Sequence, residues 1–116
     1  MTTPIGPYTP IVRAGAWLIC SGQLGLVDGR MVEGVAAQMA QAIKNAEALL
    51  AGHGASLADV VKTLVFLDDI NSYDTMNDAY VAAFGDHRPA RSAVAVAGLP
   101  RAALVEIEIW AMKAAG

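Results

Sequence analysis

One cysteine, Cys20, is the only thiol in this chain, so no internal disulfide can staple it. A lone thiol fits a reducing compartment and a cytoplasmic setting. Charge is also scarce, at 16% of the 116 residues, and the formal balance is −3. Lys and Arg are scattered, and no basic stripe interleaves with the few aromatics, so no nucleic acid partner is expected. No apolar run approaches the roughly 20 residues of a spanning helix, which argues against a membrane protein. Met1-Thr2-Thr3-Pro4 has neither the basic region nor the apolar core of a secretion signal. His53 lies between two glycines with no second His, Cys or carboxylate at metal-ligand spacing, so no metal site is expected.

Apolar residues, by contrast, are plentiful: 55% of the chain, with a mean hydropathy of +0.43. The length suits one domain, residues 1–116, with no internal repeat or low-complexity linker. Such a domain buries only about two-thirds of the surface its unfolded chain exposes. Much apolar surface would face water in a monomer, so an oligomer with a large apolar interface is expected.

Thr2 to Pro10 hold three of the five prolines and read as an extended arm, on which Tyr8 packs against a sheet edge or enters a pocket. Ala16 to Gln23 is a strand, apolar on both faces up to Cys20 and hence covered on both sides. Cys20 has no cation or His beside it and reads as a core thiol rather than a nucleophile. Gly22 marks a bulge or a close backbone approach. Asp28-Gly29 signals a tight turn between two short extended pieces. Gly34 to Leu50 is the first helix, with Val35, Met39, Ile43, Ala46 and Leu50 on one stripe and Gly52 or Gly54 closing it. Ser56 to Asp59 has the form of a capping box. Val60 to Leu67 is a nearly continuous apolar strand, again covered on both faces, ending at Asp68-Asp69. A second helix runs from Asn71 or Ser72 to about Phe84, burying Met76, Tyr80 and Phe84, with Gly85 as its cap. Asn77, one position beyond Met76, reads as a solvated helix residue.

Pro89 to Val96 and Leu104 to Trp110 are two more strands, joined through Gly98-Leu99-Pro100. Each carries charge where a buried strand should not. Arg91 enters the first, and Glu106 and Glu108 interrupt the second at alternate positions, on one face. Such ions cost on the order of several kcal/mol unless paired or met by a charged ligand. Adjacent antiparallel strands would bring Arg91 and Glu106 near one cleft. Arg91 then forms a structural ion pair with Glu106 or Glu108, or its planar fork clamps the carboxylate of a small acid. Two helices can cover only one face of the sheet, and a partner subunit is the natural cover for the other face.

Pro89-Ala90-Arg91-Ser92, the apolar strand after it, Leu99-Pro100 and Val105-Glu106-Ile107-Glu108 together resemble the signature of the RidA (YjgF) family of enamine/imine deaminases. Ile5-Gly6-Pro7-Tyr8 and Ser21-Gly22-Gln23 resemble the family's opening motifs. Val60-Val61-Lys62-Thr63, Phe66-Leu67 and Met76-Asn77 through Tyr80 resemble its middle. The resemblance implies a chorismate-mutase-like (bacillar-type) α+β fold, a mixed sheet with two helices on one face. It also implies a homotrimer with ligand sites in clefts between subunits. The implied reaction is hydrolysis of reactive 2-enamine and 2-imine acids, such as 2-aminoacrylate or 2-iminobutanoate, to 2-keto acids and ammonium, with no cofactor. By motif, Arg91 would bind the substrate carboxylate, and Glu106 would position the attacking water and support proton transfer. Tyr8 and Asn77 would line the pocket, and backbone groups at Gly22 and Ala93 would contact the ligand. Three positions depart from the family pattern: Ala93 stands where many members carry Cys, Thr9-Pro10 replaces Ser-Gln, and Gly98 stands where Arg is common. A thiol mechanism at position 93 is thereby excluded. The competing reading is a non-catalytic binder of small carboxylic acids on the same trimer. A ribonuclease role, attached to some relatives, is opposed by the acidic balance.

Overall fold

In the computed structural model of the chain, residues 4–116 are described. The arm is described from Pro4 onward; Thr2 and Thr3, expected in it, lie outside the described residues together with Met1. Ser21 holds the arm, its N–H donating to the Pro10 carbonyl at 2.8 Å and its hydroxyl to the Thr9 carbonyl at 2.6 Å. β1 (Ile11–Ala14) then pairs with β2 (Trp17–Leu24) as an antiparallel hairpin. The sequence reading has no β1, because four residues between Pro10 and Gly15 are too few to show a period. β3 (Leu26–Val27) and β4 (Arg30–Met31) form the small hairpin expected around Asp28-Gly29, both of which take positive φ. α1 (Val35–Ala51) buries Met39, Ile43, Ala46 and Leu50, as its stripe predicts. The turn Leu57–Asp59, whose Asp59 carboxylate accepts the Ser56 N–H at 2.9 Å, leads into β5 (Val60–Leu67). α2 (Tyr73–Phe84) buries Met76, Tyr80 and Phe84, and β6 (Ala90–Ala95) and β7 (Val105–Met112) follow.

Five strands form one mixed sheet in the order β1-β2-β7-β5-β6. β5 and β6 pair in parallel, which no hairpin can connect, and α2 serves as the crossover between them. β7 runs antiparallel to β2 on one side and β5 on the other. The last two strands, which the sequence reading expects to be neighbours, are therefore separated by β5. Burial explains the exchange. β7 has Val105, Ile107 and Ile109 to bury and takes the centre, whereas β6 is short, rich in alanine and mostly exposed, and settles at the edge.

Both helices pack on one face of the sheet, over Leu18, Cys20, Val65, Leu67, Ile107 and Ile109. Each large aliphatic side chain among these contributes about 1.5–3 kcal/mol on burial. The fully buried Thr63 hydroxyl bonds the Tyr80 hydroxyl of α2 at 2.9 Å, so neither is orphaned. Gln38 ties α1 to the entry of β7, donating to the Val32 carbonyl at 2.9 Å and accepting from the Leu104 N–H at 2.8 Å. The other face is open. Val12, Trp17, Val94 and Met112 are exposed there, and Leu64 and Phe66 are half-buried. Cover on both faces of β2 and β5, expected from their apolar runs, is thus not achieved within one chain. Among the described residues, no helix is long and apolar enough to cross a membrane.

One turn is strained. Arg101 and Ala102, consecutive residues without the freedom of glycine, have φ of 60° and 53° on the approach to β7. Left-handed backbone costs an L-residue about 1–2 kcal/mol. Ala102→Gly should therefore stabilise the protein by about 0.5–1 kcal/mol, after allowing for the more flexible unfolded chain. A rise of about 2–4 °C in the thermal midpoint is expected; an unchanged or lower midpoint would show that the surroundings already relieve the strain.

Candidate active site

Alternation along β7 sends Val105, Ile107, Ile109 and Ala111 into the core and leaves Glu106, Glu108 and Trp110 half-buried on the open face. Both carboxylates share that face, as their spacing requires, but their surroundings differ. Glu108 accepts a hydrogen bond from Trp110 Nε1 at 2.8 Å, and that indole meets Trp17 edge-on with centroids 5.8 Å apart. Glu106 has no hydrogen-bond partner among the described residues. It lies beside the place where β2 bulges between Cys20 and Gln23. The bulge presses the Gly22 backbone against it: a Cβ on Gly22 would stand 2.7 Å from Glu106 Cδ. Any larger residue would displace the carboxylate. Burial first, and the Glu108 charge second, hold the Glu106 pKa above its ordinary 4.5. A carboxyl so shifted trades its proton closer to neutrality, which suits acid–base work. Tyr8, from the arm, shares a small cleft with Gly22, Gln23 and Asn45, and much of its ring is exposed.

The second set of groups lies on the edge strand. Arg91 stands opposite Thr63 on β5 and points to the helix-covered face. There its Cζ is 4.8 Å from the centre of the Tyr80 ring and 5.5 Å from that of Tyr73. Nη2 donates to the Tyr73 hydroxyl at 3.0 Å, and Nη1 approaches Met76 Sδ at 3.8 Å. No carboxylate meets it. The salt bridge found among the described residues is Lys113–Asp59, at 4.0 Å, so the structural pairing of Arg91 with Glu106 or Glu108 is overturned. Ala93, two positions along the same strand, packs against the core. Asn77 follows Tyr73 by four residues and precedes Tyr80 by three, so it flanks the same rings on α2. It is half-buried rather than solvated, and its Oδ1 is buried without a hydrogen-bond partner among the described residues.

The two sets do not meet within one chain. Glu106 is opposite Phe66 and Arg91 opposite Thr63, three residues apart on β5, so the two side chains leave opposite faces of the sheet. The single intrachain cleft expected from adjacent strands fails for this reason. A cavity of about 860 Å³ lies between the arm, the β3–β4 hairpin and α1, and neither Arg91 nor Glu106 lines it. Cys20 is fully buried, and burial pushes its thiol up to about 12, so it is inert at neutral pH. Among the described residues, no group of three His, Cys, Asp or Glu is arranged to hold a metal ion. Tyr73 is the one neighbour of Arg91 that the sequence reading does not single out. The signal was there, since Tyr73 extends the Met76–Tyr80 stripe by one turn.

A mixed sheet with two helices on one face defines an α+β protein, and it carries an arginine held on aromatic rings and a raised carboxyl beside a glycine bulge. The family model described as Endoribonuclease L-PSP matches residues 1–113. The chain belongs to that family, the RidA/YjgF proteins. It is 42% identical over 113 residues to a RutC family protein of Pyrococcus horikoshii, covering 95% of this chain and 90% of that one. It is 40% identical to the 2-iminobutanoate/2-iminopropanoate deaminase of Salmonella typhimurium, covering 94% of this chain and 89% of that one. The crystal structure of the YjgF gene product from E. coli matches with a TM-score of 0.90 at 40% identity, over 94% of this chain and 90% of that one. The arrangement of two helices on a mixed sheet is that of these relatives.

The raised pKa of Glu106 has a stability consequence. Its folded value lies above its unfolded one, so the linked stability is fully present below the unfolded pKa and is lost as pH rises through the folded value. Glu106→Gln should therefore gain in thermal midpoint relative to wild type as pH rises from the ordinary glutamate value of about 4 through the raised folded one. Melting curves across that range check it, and a difference independent of pH would show that the ionised carboxylate carries no burial penalty.

Proposed function

We propose that this protein is a hydrolytic deaminase of reactive 2-imine and 2-enamine acids, one RidA-like domain over residues 1–116 acting as a cytoplasmic homotrimer. The observation that carries this reading is the pair of complementary charges on opposite faces of one sheet. Among the described residues, Arg91 rests on two rings with no carboxylate, and Glu106 sits half-buried with no cation. A second copy can join what one chain keeps apart. In a chorismate-mutase-like trimer whose open sheet faces meet, the Arg91 set of one subunit and the Tyr8–Gly22–Glu106 set of the next would share a cleft. The exposed apolar side chains of that open face support such an assembly. The names of the Salmonella and human relatives, both 2-iminobutanoate/2-iminopropanoate deaminase, support the substrate class.

In this reading Arg91 binds the substrate carboxylate with the donors that Tyr73 and Met76 leave unused. Tyr8 and Asn77 line the pocket, and backbone groups at Gly22 and Ala93 contact the ligand. An enamine first gains a proton on its terminal carbon and becomes the imine. Water then adds to C2 of the protonated imine while the Glu106 carboxylate takes a proton from it. Glu106 returns that proton to nitrogen, the C–N bond breaks with its electrons going to nitrogen, and the hydroxyl proton is released as the keto group forms. One imine and one water thus become one 2-keto acid and one ammonia, protonated in solution. The protonated imine carbon is already electrophilic, so the step needs no covalent nucleophile. A positioned acid–base group of this kind is worth roughly 10²–10⁴-fold in rate.

The test generates 2-iminobutanoate in situ with an amino-acid oxidase and traps what remains with semicarbazide. Wild type should divert imine to keto acid, Arg91→Ala should raise KM, and Glu106→Gln should lower kcat by roughly 10²–10⁴-fold. Sedimentation should give a trimer. A silent wild type that still binds 2-oxobutanoate would replace the deaminase with the small-acid binder, and a monomer in solution would sink the shared cleft.

A further inference from the structure

We propose that Tyr73 is a positioning residue that sets carboxylate affinity by holding the Arg91 guanidinium in one orientation; this rests on the clamp role assigned to Arg91 above. Arg91 lies on a short edge strand, half-exposed, with no carboxylate to fix it. A long side chain so placed would sample many rotamers, and a ligand would have to order it on binding. Two rings prevent this. Tyr80 forms the floor, its centre 4.8 Å from Cζ, and is anchored through its hydroxyl to buried Thr63. Its hydroxyl is therefore committed to the core. Tyr73 is the outer contact, 38% exposed, and its hydroxyl accepts from Nη2 at 3.0 Å.

The hydroxyl of Tyr73 adds something that a ring alone would not. The Tyr80 ring, 4.8 Å from Cζ, attracts the cation but fixes no N–H direction. The hydrogen bond from Nη2 to the Tyr73 hydroxyl fixes one corner, so the unused donors face one direction before any anion arrives. Because the clamp acts alike in the ground and transition states, its loss should appear in KM and leave kcat nearly unchanged.

The experiment compares wild type, Tyr73→Phe and Tyr73→Ala, first for 2-oxobutanoate binding by calorimetry or NMR titration and then for imine hydrolysis. Tyr73→Phe keeps the ring and should weaken keto-acid binding and raise KM by roughly 3–10-fold, with kcat within about twofold. Tyr73→Ala should weaken both further. Binding of the neutral 2-oxobutanamide, which gives the fork no carboxylate, should be the same in wild type and Tyr73→Phe. Unchanged 2-oxobutanoate affinity in Tyr73→Phe overturns the proposal, as does an equal loss for the amide, which would mean a general structural role. The binding arm separates the two claims: a wild type silent toward imines defeats the deaminase reading alone. A wild type that neither hydrolyses imine nor binds keto acid defeats both.

Discussion

The central position of β7 is the constraint from which the rest of the molecule follows. Its odd-numbered residues are apolar and fully buried beneath the helices, and its even-numbered ones bring two carboxylates to the opposite face. A strand with that much apolar area to bury is most stable with a neighbour on each side, and it takes β2 and β5. β6 is then left to join β5 in parallel at the edge, and α2 must cross over the sheet to deliver it. The crossover sets Tyr73, Met76 and Tyr80 directly over the place where Arg91 emerges.

The same arrangement separates the charges. A guanidinium on the edge strand and a carboxylate on the central strand leave opposite faces, and neither meets an opposite charge among the described residues. Each is stabilised by other means. Arg91 rests on aromatic rings, which attract a cation without neutralising it. Glu106 keeps its proton more readily, because burial and the neighbouring Glu108 disfavour the ionised form. Both therefore keep their capacity to meet a ligand. Glu108, on the same face and two residues away, is instead occupied by the Trp110 indole.

Much of this was readable from local pattern. The two helices and their buried stripes, the Asp28-Gly29 turn, the inert Cys20 and the shared face of Glu106 and Glu108 all follow from periods of 3.6 and 2 or from turn chemistry. The glycine at position 22 was readable as a close approach, although what it approaches is a side chain of the same protein, Glu106. β1 is too short to show a period, and the pairing of the last two strands is not legible because sequence adjacency is a weak guide where a parallel crossover competes with a hairpin.

The sequence by itself determined both helices and the longer strands, the side of each helix that is buried and, through its ordered motifs, the family. These depend on spacing along the chain, which every copy of the sequence carries. Strand order, the open apolar face, the unpaired Arg91 and its attachment to Tyr73 were decided only by the tertiary structure. They depend on which strand has the most to gain from the centre of the sheet, a competition among segments far apart in sequence that no local pattern records.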